Sequence, residues 1–280
     1  MPSYDTPQPI DVIVEPVIGN VRILAGERDD TVVDVRPTRD SNASDVRAAE
    51  QTKVEFSGGV LSVKAPRSRP FDFGNKTRSI EVTIELPAGS RVRGSTGVGD
   101  VHTTGRLGEC RYKTGVGQLR LDHAGESHLH TGVGDIVVEG IDGNADISTG
   151  SGQVRIGELG GGVVKNSNGS TEIGLASGSV RARSANGDIV VERAVDSVEA
   201  RTANGSVRVL DVVRGELVLE TALGEIEIGI HEGTSAWLDV KTQFGRVHND
   251  MDASDSPGTA TDRVTARART SFGDINVHRS

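Results

Sequence analysis

The chain has 280 residues, a net charge of −9 and 36 glycines, and is 35% hydrophobic but only 3% aromatic. A core built on large rings is excluded; Val, Ile, Leu and Thr must fill it in thin layers. The acidic balance argues against nucleic acid as a partner, since phosphate binding needs a dense cationic surface, and a single cysteine, Cys110, rules out an internal disulfide framework.

Met1 to Gly26 lacks a positive segment followed by an apolar run, and no apolar stretch reaches the length of about 18 residues that suggests a membrane span. The expectation is no signal peptide, no membrane insertion and a cytoplasmic location. Residues 1–9 carry three prolines and read as a disordered lead. Residues 10–88 read as an irregular N-terminal β section that caps the rest of the chain. Val12 and Val14 precede Gly19, Val21 and Ile23 come after it, and Val33 and Val35 are next. A polar stretch from Thr38 to Thr52 predicts a short helical turn around Asp45 to Glu50. Val54 and Phe56, then Leu61 and Val63, flank Gly58-Gly59. A loop with Pro66 and Pro70 leads to Ile80–Pro87, whose alternation is that of a half-buried strand.

From residue 89 to 280 a repeat takes over. Gly99, Gly117, Gly134, Gly152, Gly169, Gly187, Gly205 and Gly224 stand 17 to 19 residues apart, and Gly245 and Gly273 continue the series at wider steps. A fixed motif at a fixed period is the mark of a repeat architecture. Two and four residues after each glycine, apolar side chains alternate with polar ones, as in Leu119-Arg120-Leu121 and Ile226-Glu227-Ile228. The segment before each glycine alternates too, so each period holds two short strands with one buried face. Asn168-Gly169, Asn186-Gly187 and Asn204-Gly205 supply residues suited to a corner. Thr96, Thr114, Thr131, Thr149, Thr202, Thr221, Thr242 and Thr270 form a column three before the glycine, with hydroxyls placed to bond along the stack. The preferred fold is an all-β, single-chain β-solenoid, right-handed β-helix or β-roll-like, of about ten two-strand coils. An antiparallel meander with Asn-Gly hairpins is the alternative. A loop at 249–263 interrupts the last coils, and Val264–Val277 reads as an uncapped terminal coil.

The Ile80–Pro87 strand leading into Gly89, the Thr-Gly-Val-Gly-Asp units at 96–100 and 131–135, and the ending His248-Asn249-Asp250 … Ser271-Phe272-Gly273-Asp274-Ile275 carry a family likeness. With them the chain resembles the DUF4097 family of β-strand-repeat proteins, often labelled adhesin-like, over nearly its whole length. The resemblance implies a β-repeat scaffold, and some members of that family are linked to envelope stress. It implies no biochemical activity, and the adhesin label fits poorly with a chain that shows no anchor.

Nothing in the repeat reads as an active site. Asp100, Asp135, Asp188, Glu225 and Asp274 recur one after the glycine, as a structural position does; a catalytic pair would be a local exception. The chain is therefore read as a non-enzymatic scaffold acting through binding or self-assembly, with a carbohydrate-active β-helix enzyme as the alternative. No cofactor or metal is expected. His128 and His130 share a strand face, but His102 belongs to the other sheet, and one carboxylate per coil is too few for calcium. Cys110 falls at an inward position and reads as a packed thiol. An ice-binding Thr array is disfavoured because the Thr column points inward.

Two surfaces remain as candidates. Arg93, Arg111, Lys113, His128, His130, Lys165, Arg181, Arg183 and Arg201 gather on the outer face of the first strands, where an anionic partner could dock, although Asp146 and Glu199 interrupt them. Trp237, Phe244, Phe272, Ile275 and Val277 mark the C-terminal end, either filling a tapering core or forming a self-association surface for a homo-oligomer.

Overall fold

The computed structural model of the chain describes residues 1–66, 78–251 and 262–280. Pro70 and most of the loop at 249–263 lie outside the described residues. The chain forms a β-solenoid in two compact units, Met1–Val137 and Val138–Ser280. Both use one kind of rung: a strand, a glycine corner and a second strand, each paired in parallel with the like strand of the next rung.

The corner dictates the glycine. At Gly117 φ is +149°, and an added Cβ would lie 2.0 Å from the Gly99 carbonyl oxygen of the neighbouring rung. No side chain fits that backbone or that gap. The buried Thr column does not bond along itself. Its hydroxyls donate instead to the glycine carbonyl of the adjacent rung, as Thr131 to Gly117 at 3.0 Å, Thr202 to Gly187 at 3.0 Å and Thr221 to Gly205 at 2.8 Å, while Thr96 pairs with the Tyr112 hydroxyl. A buried carbonyl left unpaired costs about 1–3 kcal/mol, so it outcompetes a neighbouring hydroxyl as acceptor.

The first unit runs through β1 (Ser3–Asp5), β2 (Asp11–Glu15), β3 (Ile18–Gly26), β4 (Asp30–Pro37), α1 (Ala43–Gln51), β5 (Lys53–Ser57), β6 (Val60–Lys64) and β7 (Ser79–Pro87). It continues with β8 (Arg91–Val98), β9 (Val101–Arg106), β10 (Cys110–Val116), β11 (Leu119–Ala124) and β12 (Ser127–Val133). The rungs β2/β3, β8/β9 and β10/β11 stack in parallel, and β12 pairs with β10 beyond them. The rung β6/β7 lies on the other side of β2/β3. Its outer edge is covered by reversed strands, β4 against β7, β1 against β4 and β5 against β6. The helix α1 packs on β4 and β7. There the buried Asp45 carboxylate accepts the Ser79 amide at 3.0 Å and Arg39 Nε at 3.2 Å. Residues 1–9, expected as a disordered lead, hold β1, and the buried Thr6 hydroxyl shares a 2.7 Å hydrogen bond with that of Thr31. The open edge of β4 supplies the pairing that orders them.

A long strand, β13 (Ile136–Ser151), carries the chain into the second unit. Next come β14 (Val154–Asn168), β15 (Thr171–Ala176), β16 (Val180–Asn186), β17 (Ile189–Ala194), β18 (Val198–Asn204) and β19 (Val207–Val212). The unit ends with β20 (Gly215–Leu223), β21 (Ile226–Ile230), β22 (Ser235–Phe244), β23 (Val247–Asn249), β24 (Arg263–Phe272) and β25 (Ile275–Arg279). One sheet stacks β14, β16, β18, β20, β24 and β22, in that order. The other stacks β15, β17, β19, β21, β25 and β23. Spatial order departs from sequence order at this end: the last two strands insert beneath the pair before them. Ile275 and Val277, expected on an uncapped terminal coil, are therefore 0% and 1% exposed, because β25 lies between β21 and β23. The threonines confirm the order, since Thr270 donates to Gly224 at 3.0 Å and Thr242 to Gly273 at 2.8 Å.

Candidate functional site

In the first unit Arg93, Arg111 and His128 stand in register on β8, β10 and β12, with Lys113 beside His130 two residues further along. Carboxylates occupy the same face. Glu109 pairs with Arg111 and, at 3.7 Å, with Arg93; Glu126 lies 3.2 Å from His128 Nε2 and 3.7 Å from Arg111. Burial alone would raise the Glu109 carboxyl, but hydrogen bonds and charge from Arg111 and Arg93 outweigh it and hold the group below its ordinary value.

The second unit repeats this pattern. Lys165, Arg183, Arg201, Glu220, Arg269 and Lys241 form one column across the rungs, and Arg181 and Glu199 are neighbours in the next. Glu199 binds Arg181 at 2.6 Å, Arg201 at 3.1 Å and Arg183 at 3.2 Å, while Lys165 reaches Asp146 at 3.9 Å. Burial pushes the Glu199 carboxyl up, yet the arginines hold it below its ordinary value. Exposed pairs of this kind contribute about 0–1 kcal/mol each. Their larger effect is to offset part of the positive charge on this face, with Glu199 shared among three arginines.

Three of the recurring corner acids bond the neighbouring rung. The Asp100 carboxylate accepts the Gln118 amide at 2.8 Å, Asp188 that of Ser206 at 2.8 Å and Asp274 that of Arg246 at 2.7 Å. Each carboxylate thus caps an amide of the neighbouring rung. His128 and His130 lie on β12, whereas His102 is on β9 and His123 on β11. Burial pushes the Cys110 thiol up to about 12, with the charge of Glu109 adding to the rise, so no thiolate forms there at neutral pH.

The C-terminal end of the second unit differs from all of this. Just before the corner glycines, Asn168, Asn186 and Asn204 form an amide ladder, with Asn186 Nδ2 donating to Asn168 Oδ1 at 2.9 Å and Asn204 Nδ2 to Asn186 Oδ1 at 2.8 Å. In the next three rungs the same column holds Leu223, Phe272 and Phe244. The two phenyl rings stack at 4.9 Å with an 11° tilt. They do not fill a tapering core: Leu223 is 50% exposed, Phe272 52% and Phe244 58%. Alternation breaks at the corner, so a residue in this column points to solvent. The asparagines at the equivalent positions were the available signal. Beside the ladder Ala203, Ala222 and Ser271 line an open groove of about 620 Å³, flanked by Arg201, Arg269 and Lys241.

Trp237 projects from β22 and is 58% exposed. The inward positions of this strand, Ala236, Leu238, Val240 and Thr242, are only half-buried, whereas Val264, Ala266, Ala268 and Thr270 beneath them on β24 are buried. Among the described residues no strand pairs with the outer edge of β22 or β23. On the outer face Asp239 binds Arg269 at 2.6 Å, a hydrogen bond that holds its carboxyl below the ordinary value against a smaller effect of burial.

No helix among the described residues is long and apolar enough to cross a membrane. No curated protein matches the chain. Among solved structures, a protein of Bacteroides fragilis NCTC 9343 described as a putative adhesin is 14% identical, with 99% of this chain and 95% of that one covered and a TM-score of 0.46. A putative adhesin from Parabacteroides distasonis ATCC 8503 is 12% identical over 98% of this chain and 95% of its own, at a TM-score of 0.37. A putative lipid binding protein from the same organism is 12% identical over 100% and 95%, at 0.39. The Toastrack DUF4097 family matches residues 18–278, which include the glycine-corner repeat from Gly19 to Gly273, and the chain belongs to that family.

Proposed function

We propose that the protein is a non-catalytic binding scaffold that docks a macromolecular partner through the C-terminal end of its second unit. One observation carries this reading: the terminal rung β22/β23 leaves half-buried core positions and an unpaired strand edge, among the described residues, beside exposed Trp237, Phe272 and Phe244. Exposed apolar clusters of this kind mark interaction sites. The basic face is the weaker candidate because its cations already hold carboxylates. The recurring acids support a non-catalytic role, since Asp100, Asp188 and Asp274 are engaged in capping amides.

The test is photo-cross-linking in cells, with benzoyl-phenylalanine placed at Trp237 or Phe244 and, as a control, at exposed Arg120 on the interior strand β11. Discrete adducts from the first two positions and none from the third are expected. Equal labelling at all three sites, or none at any, would remove the basis for the proposal.

A further inference from the structure

The backbone of β22 specifies what its edge can accept. Ser235 donates its amide to the Asp262 carbonyl at 3.0 Å, on the β24 side. In a parallel ladder alternate residues face opposite neighbours, so the odd-numbered residues of β22 bond β24. Ala236, Leu238, Val240 and Thr242 then direct their amides and carbonyls outward, along the edge that no strand among the described residues pairs.

We propose that the partner is a second copy of this chain, with β22 pairing antiparallel to β22 about a two-fold axis at Val240. This rests on the reading of the C-terminal end as the docking surface. An axis at Val240 makes Val240 opposite Val240 a hydrogen-bonded pair, with Leu238 opposite Thr242 on each side, using the groups that face outward. Asp239 then stands opposite Lys241 of the other copy, twice, in the closer non-hydrogen-bonded positions. Two registers retain nine residues of overlap within Ser235–Phe244, centred on Asp239 or on Val240. The first sets carboxylate against carboxylate, and like charges directly opposite are destabilising. The second crosses the charges. An axis normal to the sheet also keeps inward residues inward, so the half-buried Leu238 and Val240 of each copy cover those of the other. Interfaces with two-fold symmetry require self-complementarity of this kind.

The experiment is the mass of the full chain by light scattering across micromolar concentrations, for wild type, Asp239→Lys, Lys241→Asp and the double exchange. Each single change turns two attractive pairs repulsive and should weaken the dimer about tenfold. The double exchange restores opposite charges and should recover it. A monomer at every concentration overturns the pairing, whether or not the β22 amides are protected from exchange. A dimer without charge rescue overturns it as well. Cross-links from Trp237 to a different protein would also sink the pairing while leaving the docking reading intact.

Discussion

Gly94 and Tyr112 form a single packing unit, and replacing Gly94 with Ala tests it. The two are register partners on β8 and β10. Tyr112 is the ring buried in a core otherwise aliphatic at these positions, and its hydroxyl shares a 2.7 Å hydrogen bond with that of Thr96. An Ala Cβ at Gly94 would lie 2.2 Å from the ring edge, with two further ring atoms within 2.9 Å. The ring cannot retreat without breaking the Thr96 bond. Nor can β8 shift, since β2 and β10 hold it from both sides. Overpacking without relief costs about 1–3 kcal/mol, and the displaced hydroxyl pair adds about 1 kcal/mol, so Gly94→Ala should lose roughly 2–4 kcal/mol. Tyr112→Leu alone should cost a similar amount through the cavity it leaves. The double variant should be less destabilised than the sum by about 1–3 kcal/mol, because the Leu frees the space that the methyl takes. The assay is urea unfolding monitored by far-ultraviolet circular dichroism, which reads all four proteins alike, with m-values checked for constancy. A Gly94→Ala variant within about 0.5 kcal/mol of wild type, or strict additivity, would refute the reasoning.

The corners and the ion clusters set further outcomes. Gly117→Ala should cost more than about 3 kcal/mol, since the Cβ meets a carbonyl and φ is unfavourable; Gly58→Asn, with φ +59° and open space around it, should stay near wild type in the same thermal melts. Thr270→Val removes the 3.0 Å bond to the Gly224 carbonyl and should lower stability by about 1–3 kcal/mol in denaturant titrations. The Glu199 carboxyl is held below its ordinary value, so its contribution is present above the unfolded value of about 4.3 and is lost as pH falls through the lower native value. Glu199→Gln should therefore be less stable than wild type at neutral pH and converge with it in acid, as read by melting temperature against pH; a constant gap would contradict the assignment.

The parallel rungs, the glycine corners and the inward threonines were legible because each repeats, and repetition shows which positions face the core. The sequence cannot show how those rungs are ordered. Val264–Val277 reads as the final coil, and only long-range pairing of β24 with both β20 and β22 places it inside. The exposure of Phe272 and Phe244 escapes the sequence for a related reason: alternation counted from the strand puts them on the core side, and the corner reverses that. The basic face was visible as a composition, but its partial charge compensation depends on Glu109 and Glu199 reaching arginines one rung away.

The two units treat an end rung differently. A parallel rung has no natural terminus, since its outer strand always offers a row of unpaired amides and carbonyls. In the first unit the edge of β6/β7 is overlaid by reversed strands, β4 on β7 with β1 beyond it and β5 on β6, and α1 packs on β4 and β7. In the second unit β24/β25 is fully enclosed while β22/β23 remains outside with Leu238 and Val240 half-covered. Burial of such side chains is worth about 1.5–3 kcal/mol each, so leaving them half-covered forgoes a few kcal/mol that a simple reversed strand would recover. A reversed strand laid on β22, as the proposed pairing requires, would recover that burial in the way β4 and β5 do at the edge of β6/β7.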